Sequence, residues 1–380
     1  MRITVDLSPS VHRHAGLGRY ARELLAALVE LDELNEYIAF SHAPIGDCPP
    51  GVIPERVPLR TVPLTAKPWR MSVLLANLMG IPMDPWLPRG DIFHATEHLL
   101  PPLRNSRTVF TLHDLIFQFF PEYHLPLNRA FLVHAMPRFL HRADAIIAVS
   151  ECTKRDAIHL YKLPPDKITV IYEGVNPALR PVVDENLLTQ ARARWTRGSP
   201  FILFVSTIEP RKNIIALVDA VRTLRTRGYS HRLVIAGRKG WLYQGVFDHV
   251  RSTGMESQVD FLDFVPEEDL AALYSACAAF VFPSLYEGFG LPPLEAMACG
   301  APVICSNAAS LPEVVGDAGI LVNPREVGEI VAALERVLSD AALRDELRAK
   351  GVARASQFTW ERTARETLCV YQDINAGRPS

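Results

Sequence analysis

The 380-residue sequence has little sign of several common protein classes. It has no C-x-x-C pair: its six cysteines (Cys48, Cys152, Cys277, Cys299, Cys305 and Cys369) are scattered, as expected of reduced thiols in an intracellular protein. It has no long apolar run. The longest mainly apolar stretch, Ser72–Met83, is 12 residues and carries Gly and Pro, where a membrane span needs about 20. Neither charge dominates: 40 Lys+Arg against 42 Asp+Glu leave a net charge of −2. That advertises no face to nucleic acid and no acidic surface to cations. There is no repeat of solenoid type and no low-complexity tract. No D-x-D is present to hold a metal–diphosphate. The N-terminal MRITVDLSPS reads as a strand and a turn rather than a signal peptide.

What is present is enough apolar material (48%) for two buried cores in a chain longer than one core usually serves. Short, continuously apolar, β-branched runs alternate with longer helical patterns. The first half offers 2–7, 37–42, 91–96, 108–113, 145–150 and 167–172, and the second 201–207, 232–237, 259–265, 279–284, 301–306 and 319–323. Strands apolar on both faces are covered by helices on both faces, so the expected class is α/β with two parallel, doubly wound sheets. The expected organisation is a first Rossmann-like domain over 1–176, a linker over 177–200 rich in Pro and charge, a second Rossmann-like domain over 201–357, and a C-terminal helix over 358–380 returning to the first. Ligands of such sheets bind at the carboxyl ends of the strands, so the default site is a cleft between two facing sheets.

Two loops carry most of the chemistry. In Ala279-FVFPSLYEGFGLPPLEAMACGAPVICS an apolar strand runs into a loop with Glu287, Gly288 and Gly290, and a helix begins near Pro292. Glycines let backbone N–H groups approach a ligand, and a helix N-terminus favours an anion such as phosphate. A carboxylate beside an anion site suits sugar or ribose hydroxyls instead. The competing reading is a plain turn, with Glu295 serving only the helix dipole. In Phe201-ILFVSTIEPRKNIIALVDAV a buried strand is followed by a tight turn placing Arg211 and Lys212 before a helix N-terminus. Helix dipoles disfavour cations there, and an anionic ligand such as a diphosphate would resolve the conflict. A solvated pair bridging to Glu209 is the alternative.

Weaker signals stand beside these. Gly16 and Gly18 precede a helix after the first strand, as an anion loop or as a simple turn. His113 lies at a strand end, where it can contact a transferred group or merely pack. His94-ATEH-His98 matches a zinc-peptidase signature that requires a helix, but it follows a strand and is cut off by Pro101-Pro102. Ser310-LPE-Glu313 reads as a capping box.

Taken together, Glu287-GFGLPPLE, Glu209-PRKN, Ala143-DAIIAVSECTKRD and Val170-IYEGVN resemble the retaining glycosyltransferases of the GT-B fold in family four, which use nucleotide-sugar donors. The resemblance covers essentially the whole chain. The forms EPRKN and EGFGLPPLEAMACG look most like the bacterial mannosyltransferase branch. The family implies that Arg211 and Lys212 neutralise the leaving diphosphate and that Glu287 holds hydroxyls of the transferred sugar. Backbone N–H groups of Gly288, Phe289, Gly290 and Leu291 would lie at the sugar and phosphate, with Glu295 on the ribose. Gly16 would meet the donor phosphate from the first domain, and His113 would lie near the sugar. It further implies no metal or other cofactor, and an acceptor held mainly by the first domain. One departure stands out: many members carry another basic residue before the EPRKN turn, where this chain has Ser206 and Thr207.

The expected function is therefore metal-independent transfer of a hexose, mannose from GDP-mannose, to a glycan or lipid-linked acceptor. The expected location is the cytoplasm, with room for peripheral contact at the inner face of the membrane. A basic edge (Arg129, Arg138 and Arg142) and the Trp- and Arg-containing segment 67–86 are the features a bilayer could touch, although a buried helix with a solvated basic edge is the simpler account of them. Glucosyl transfer from a UDP-sugar, a nucleotide-sugar epimerase or hydrolase, and a non-catalytic sugar-nucleotide binder are the competing functions.

Overall fold

A computed structural model describes residues 1–12, 15–42, 48 and 51–377, with the backbone alone for Ala15 and Glu268. Arg13 and His14 of the first glycine motif and residues 378–380 of the C-terminal segment lie outside the described residues. The chain forms two compact units: residues 1–119, 126–174 and 359–380, and residues 120–125 and 175–358.

The first unit is built on a parallel sheet of β1 (Arg2–Asp6), β2 (Glu36–Ser41), β3 (Leu59–Thr61), β4 (Ile92–Ala95), β5 (Arg107–Leu112), β6 (Ala145–Ala148) and β7 (Ile168–Val170). Their order is β3-β2-β1-β4-β5-β6-β7, with Ile3 level with both Tyr37 and Ile92. The edge strand β3 is three residues long and only half-buried, so it left no apolar run to find in the sequence. Helix Ala66–Met79 turns Trp69, Val73 and Ala76 inward, and helix Pro126–Arg142 does the same with Leu132, Met136 and Phe139. Helix Trp360–Asn375 belongs to this unit and packs along helix Ala15–Leu31. Its Tyr371, fully buried, hydrogen-bonds His94 Nδ1 at 2.6 Å, while His94 Nε2 meets Thr111 Oγ1 at 2.7 Å. His94 thus lies on a strand with both ring nitrogens engaged by hydroxyls, an arrangement unlike that of a helical peptidase motif.

The second unit repeats the plan with β8 (Phe201–Val205), β9 (Arg232–Ala236), β10 (Val259–Asp263), β11 (Ala279–Phe282), β12 (Val303–Ser306) and β13 (Gly319–Val322), in the order β10-β9-β8-β11-β12-β13. Every pairing in both sheets is parallel. Two details depart from the sequence reading. Within 177–200 a helix, Glu185–Thr196, starts at Asp184, whose carboxylate accepts the Asn186 N–H, and it buries Leu188 and Ala191. This segment is part of the second unit and not a bare linker. Phe120–Leu125 also belongs to the second unit, with Phe120 stacked on Tyr123 and its ring 6.2 Å from that of Tyr286. Among the described residues no helix is long and apolar enough to cross a membrane.

Candidate functional site

In each sheet the strand order reverses once, between β1 and β4 and between β8 and β11. Loops leaving two adjacent strands at such a reversal diverge and open a crevice at the carboxyl ends. In the second unit those two loops are the EPRKN turn and the Leu285–Gly290 loop.

The turn Pro210–Lys212 ends at Asn213, whose backbone is left-handed (φ 57°), a conformation asparagine tolerates better than most residues. Its side-chain amide donates to the carbonyls of Pro283 (3.2 Å) and Pro324 (2.6 Å), tying the turn to the strand end opposite. Leu285 N–H in return donates to the Arg211 carbonyl at 2.9 Å. The two loops are therefore fixed to each other before any charge is considered.

Their charges then meet. Lys212 Nζ lies 2.6 Å from Glu287 Oε1, and Arg211 Nη1 lies 2.8 Å from Glu287 Oε2. Arg211 Nε reaches Glu209 Oε1 at 2.7 Å, and Ser284 Oγ donates to Glu287 Oε1 at 2.6 Å. The cluster is electrically balanced, with two cations against two carboxylates, and it is largely shut off from water. Burial alone would raise the Glu287 carboxyl, but Arg211, Lys212 and the Lys212 and Ser284 hydrogen bonds hold it down at about 2. Burial, and then the Arg211 charge, push the Lys212 ammonium below its ordinary value. The bridge to Glu209 weighed as the alternative for Arg211 does exist. It is buried, however, and Arg211 engages Glu287 as well.

Beyond Glu287 the loop is held by Ser310. The sequence marked Ser310 as half of a capping box, and the structure corrects this: its side chain caps nothing, and its hydroxyl donates instead to the carbonyls of Glu287 (2.8 Å) and Phe289 (2.6 Å). Anchoring those carbonyls fixes the peptide planes from Gly288 onward. Gly290, at φ 129°, takes a conformation closed to other residues and leads into helix Leu291–Ala298. Glu295 is buried on that helix and accepts from the Tyr274 hydroxyl at 3.0 Å, so it is not a solvated partner of the helix dipole.

The remaining expected site residues lie in the first unit. Gly16 sits in the first turn of helix Ala15–Leu31, and a Cβ there would meet nothing within 4 Å. Gly18 differs, since its Cβ would come 2.8 Å from the Pro9 carbonyl oxygen. Packing thus explains glycine at 18 and leaves glycine at 16 with open space above it. His113 follows β5 and is buried; its Nε2–H donates to the Thr96 carbonyl at 3.0 Å, and Nδ1 faces Glu173 Oε1 at 3.4 Å. The Tyr20 ring meets the imidazole edge-on at 4.8 Å.

Comparison with known proteins identifies the scaffold. The glycosyl transferases group 1 family matches residues 189–354, and glycosyltransferase family 4 matches residues 14–179. An Escherichia coli protein named O-antigen chain mannosyltransferase B is 33% identical over 389 residues, an alignment covering 98% of this chain and 100% of that protein. The E. coli serotype-specific mannosyltransferase WbdA is 37% identical over 265 residues, 68% of this chain and 32% of the longer relative. This chain belongs to glycosyltransferase family 4. Its fold is shared with solved structures, among them the sucrose-phosphate synthase of Thermosynechococcus elongatus (TM-score 0.79, 24% identity, 99% and 100% of the two chains covered). A second is the Anabaena protein HepE in complex with UDP-glucose (TM-score 0.74, 19% identity, 98% and 100% covered).

For a glycosyltransferase, the arrangement in the second unit offers a fixed pair of cations and an ionised carboxylate at one strand-end crevice. Four contributors escaped the sequence reading. Ser284, Asn213 and Ser310 act by holding backbone or carboxylate in place, and their polar atoms reach across segments distant in sequence. Glu173 stood in a quoted motif but carried no signal of its contact with His113, 60 residues earlier.

Proposed function

We propose that this family 4 enzyme is a retaining, metal-independent mannosyltransferase that moves mannose from GDP-mannose to a glycan or lipid-linked acceptor. The observation that carries the proposal is the Arg211–Glu287–Lys212 bridge. Two cations fixed at a strand-end crevice can meet a diphosphate, and the carboxylate between them can meet sugar hydroxyls. Both full-length and partial E. coli relatives bear mannosyltransferase names, which supports the choice of sugar.

The reaction follows from these roles. The bond from the anomeric carbon to the diphosphate oxygen breaks, and the acceptor oxygen bonds to that carbon on the same face. The acceptor proton leaves with the departing diphosphate. Arg211 and Lys212 stabilise the charge that grows on that diphosphate, in a site whose donors are fixed in advance. Glu287 orients the sugar, the N–H groups of Gly288 to Leu291 line its other side, and Glu295 takes the ribose. Gly16 is assigned to the donor phosphate and His113 to the transferred sugar. No step calls for a metal, because the two side-chain cations supply the charge.

The test is a thermal-shift series with GDP, UDP, ADP and dTDP and their sugar conjugates in the presence of EDTA, since a ligand binding only the native state raises the melting temperature. The expected result is a shift with GDP and GDP-mannose. A shift with UDP and UDP-glucose alone would move the donor to a UDP-sugar. Products formed from donor without acceptor would mark an epimerase or hydrolase.

A further inference from the structure

We propose that Glu173 is a positioning residue for His113, which it holds as a cation at the carboxyl end of β5 by keeping a proton on Nδ1. The inference deepens the proposed function and rests on its assignment of His113 to the transferred sugar. Two acceptors face the imidazole. Nε2 lies 3.0 Å from the Thr96 carbonyl oxygen, which can only accept, so Nε2 carries a proton. Nδ1 lies 3.4 Å from Glu173 Oε1. A neutral ring with its proton on Nε2 would turn the bare lone pair of Nδ1 towards a carboxylate oxygen. That repulsion is removed once a second proton lies between the two atoms. Imidazole, ordinarily near 6.5 against about 4.3 for glutamate, is the more basic partner, so the proton belongs to Nδ1. The pair is then imidazolium and carboxylate, neutral as a whole.

The surroundings leave the pairing to Glu173. His113 and Glu173 are both buried, and a carboxylate so far from water needs a partner. Among the described residues Glu173 is the one carboxylate paired with this ring. Asp114, the next residue, is turned to the Ile116 N–H at 3.1 Å. Tyr20 meets the ring edge-on, and the ring of His98 lies 6.2 Å away, centre to centre. His94, on β4, is held uncharged by burial and then by the charge of His113. The backbone around the pair is pinned. Thr363 Oγ1 donates to the Tyr172 carbonyl at 2.7 Å, and Thr153 Oγ1 donates to the His113 carbonyl at 3.3 Å. Gly174 lies so close to Trp360 that a Cβ there would come within 2.3 Å of its backbone nitrogen. Both partners are therefore fixed in advance, as a charge acting on a transferring sugar requires. A glutamate serving packing alone would be replaced without loss by glutamine.

Histidine labelled with 15N in the full-length protein, with His113→Asn to assign the signal, reads the ring directly. At pH 7 the expected wild-type spectrum has both His113 nitrogens protonated. In Glu173→Gln, whose amide can donate to it, Nδ1 should be bare. Steady-state kinetics with GDP-mannose and methyl α-mannoside should show kcat lower by roughly tenfold or more in Glu173→Gln, the scale of one charge-assisted hydrogen bond. The donor KM should stay within about twofold of wild type. In a His113→Asn background the same substitution should change kcat by less than about twofold, because its effect runs through the ring. A wild-type ring with a single proton would overturn the proposal, as would wild-type kcat in Glu173→Gln or an undiminished effect in the double variant. Wild-type turnover in His113→Asn beside a doubly protonated ring would instead remove His113 from the sugar, and with it the kinetic half of this proposal. If the wild type turns over no GDP-mannose, the donor assignment fails, and the ring spectrum still decides for or against Glu173.

Discussion

Lys212 and Glu287, 75 residues apart in the chain, form one buried ion pair at 2.6 Å, which Arg211 completes from the other carboxylate oxygen at 2.8 Å. The residues expected to hold the leaving group and the sugar are thus one electrostatic unit. Removing a member changes both charge and shape. Lys212→Ala leaves Glu287 with Arg211 and Ser284, so the stability loss should be about 1–3 kcal/mol, below that of a fully orphaned buried charge. Turnover should fall by roughly 10²–10³ in Lys212→Ala and in Arg211→Ala, as loss of one preorganised charge partner commonly does. Steady-state kinetics beside melting curves separate the two effects, and near-normal turnover in both variants would remove these residues from the mechanism.

Gly16 and Gly18 make opposite predictions from neighbouring positions. A Cβ at Gly18 would collide with the Pro9 carbonyl oxygen at 2.8 Å, so Gly18→Ala should lower the melting temperature. Gly16→Ala meets nothing within 4 Å and lies in a helix, where replacing Gly with Ala gains up to about 1 kcal/mol. It should leave stability equal or higher while weakening donor binding, because the methyl group would occupy the space the proposed function assigns to the donor phosphate. If Gly16→Ala binds donor as well as wild type does, the glycine has no ligand role.

These contrasts show what the sequence can convey. Both sheets were legible because parallel strands buried on two faces are continuous apolar runs, and their pattern does not depend on distant residues. The strand-end positions of Arg211, Lys212 and Glu287 followed from the same pattern. Their mutual pairing did not, because it depends on β8 and β11 being neighbours, a fact of strand order. Strand β3, with three half-buried residues, has no local signal at all. Ser310 was misread for a related reason: S-x-x-E describes local bonding, whereas its hydroxyl bonds carbonyls 21 and 23 residues away.

That misreading has a consequence for activity. With Ser310→Ala, the carbonyls of Glu287 and Phe289 lose a shared donor in a buried loop, at a cost of about 1–2 kcal/mol. The larger effect should be kinetic, because the Gly288–Leu291 amides then lose their fixed orientation. A drop in turnover of roughly tenfold is expected, with Ser310→Thr, which keeps the hydroxyl, recovering part of it. Turnover unaffected in Ser310→Ala would show that the loop holds its shape without this residue.

Asp6, at the end of β1, links structure to pH. Its Oδ1 accepts the Ser8 N–H at 2.9 Å and the Ser8 hydroxyl at 2.5 Å. Burial, and then the charge of Glu97, raise its carboxyl to about 7, with His42 pulling the other way. The folded state therefore keeps a proton that the unfolded chain releases near its ordinary value of about 4. Stability from this group is fully present below that value and declines as pH rises towards about 7. His94 acts with the opposite sign. Burial, and then His113, lower it to about 3, so acidification below its ordinary value protonates the unfolded chain and costs stability. In the wild type the two slopes oppose each other across the acidic range. Asp6→Asn keeps the acceptor oxygen and removes the titration, so it should melt higher than wild type at pH 8, with the advantage shrinking towards pH 5. The variant should also show the His94 slope uncovered, losing stability on acidification more steeply than the wild type. Melting curves of both proteins at the two pH values test this, and a difference that stays constant with pH would mean that Asp6 is already ionised in the folded protein at both.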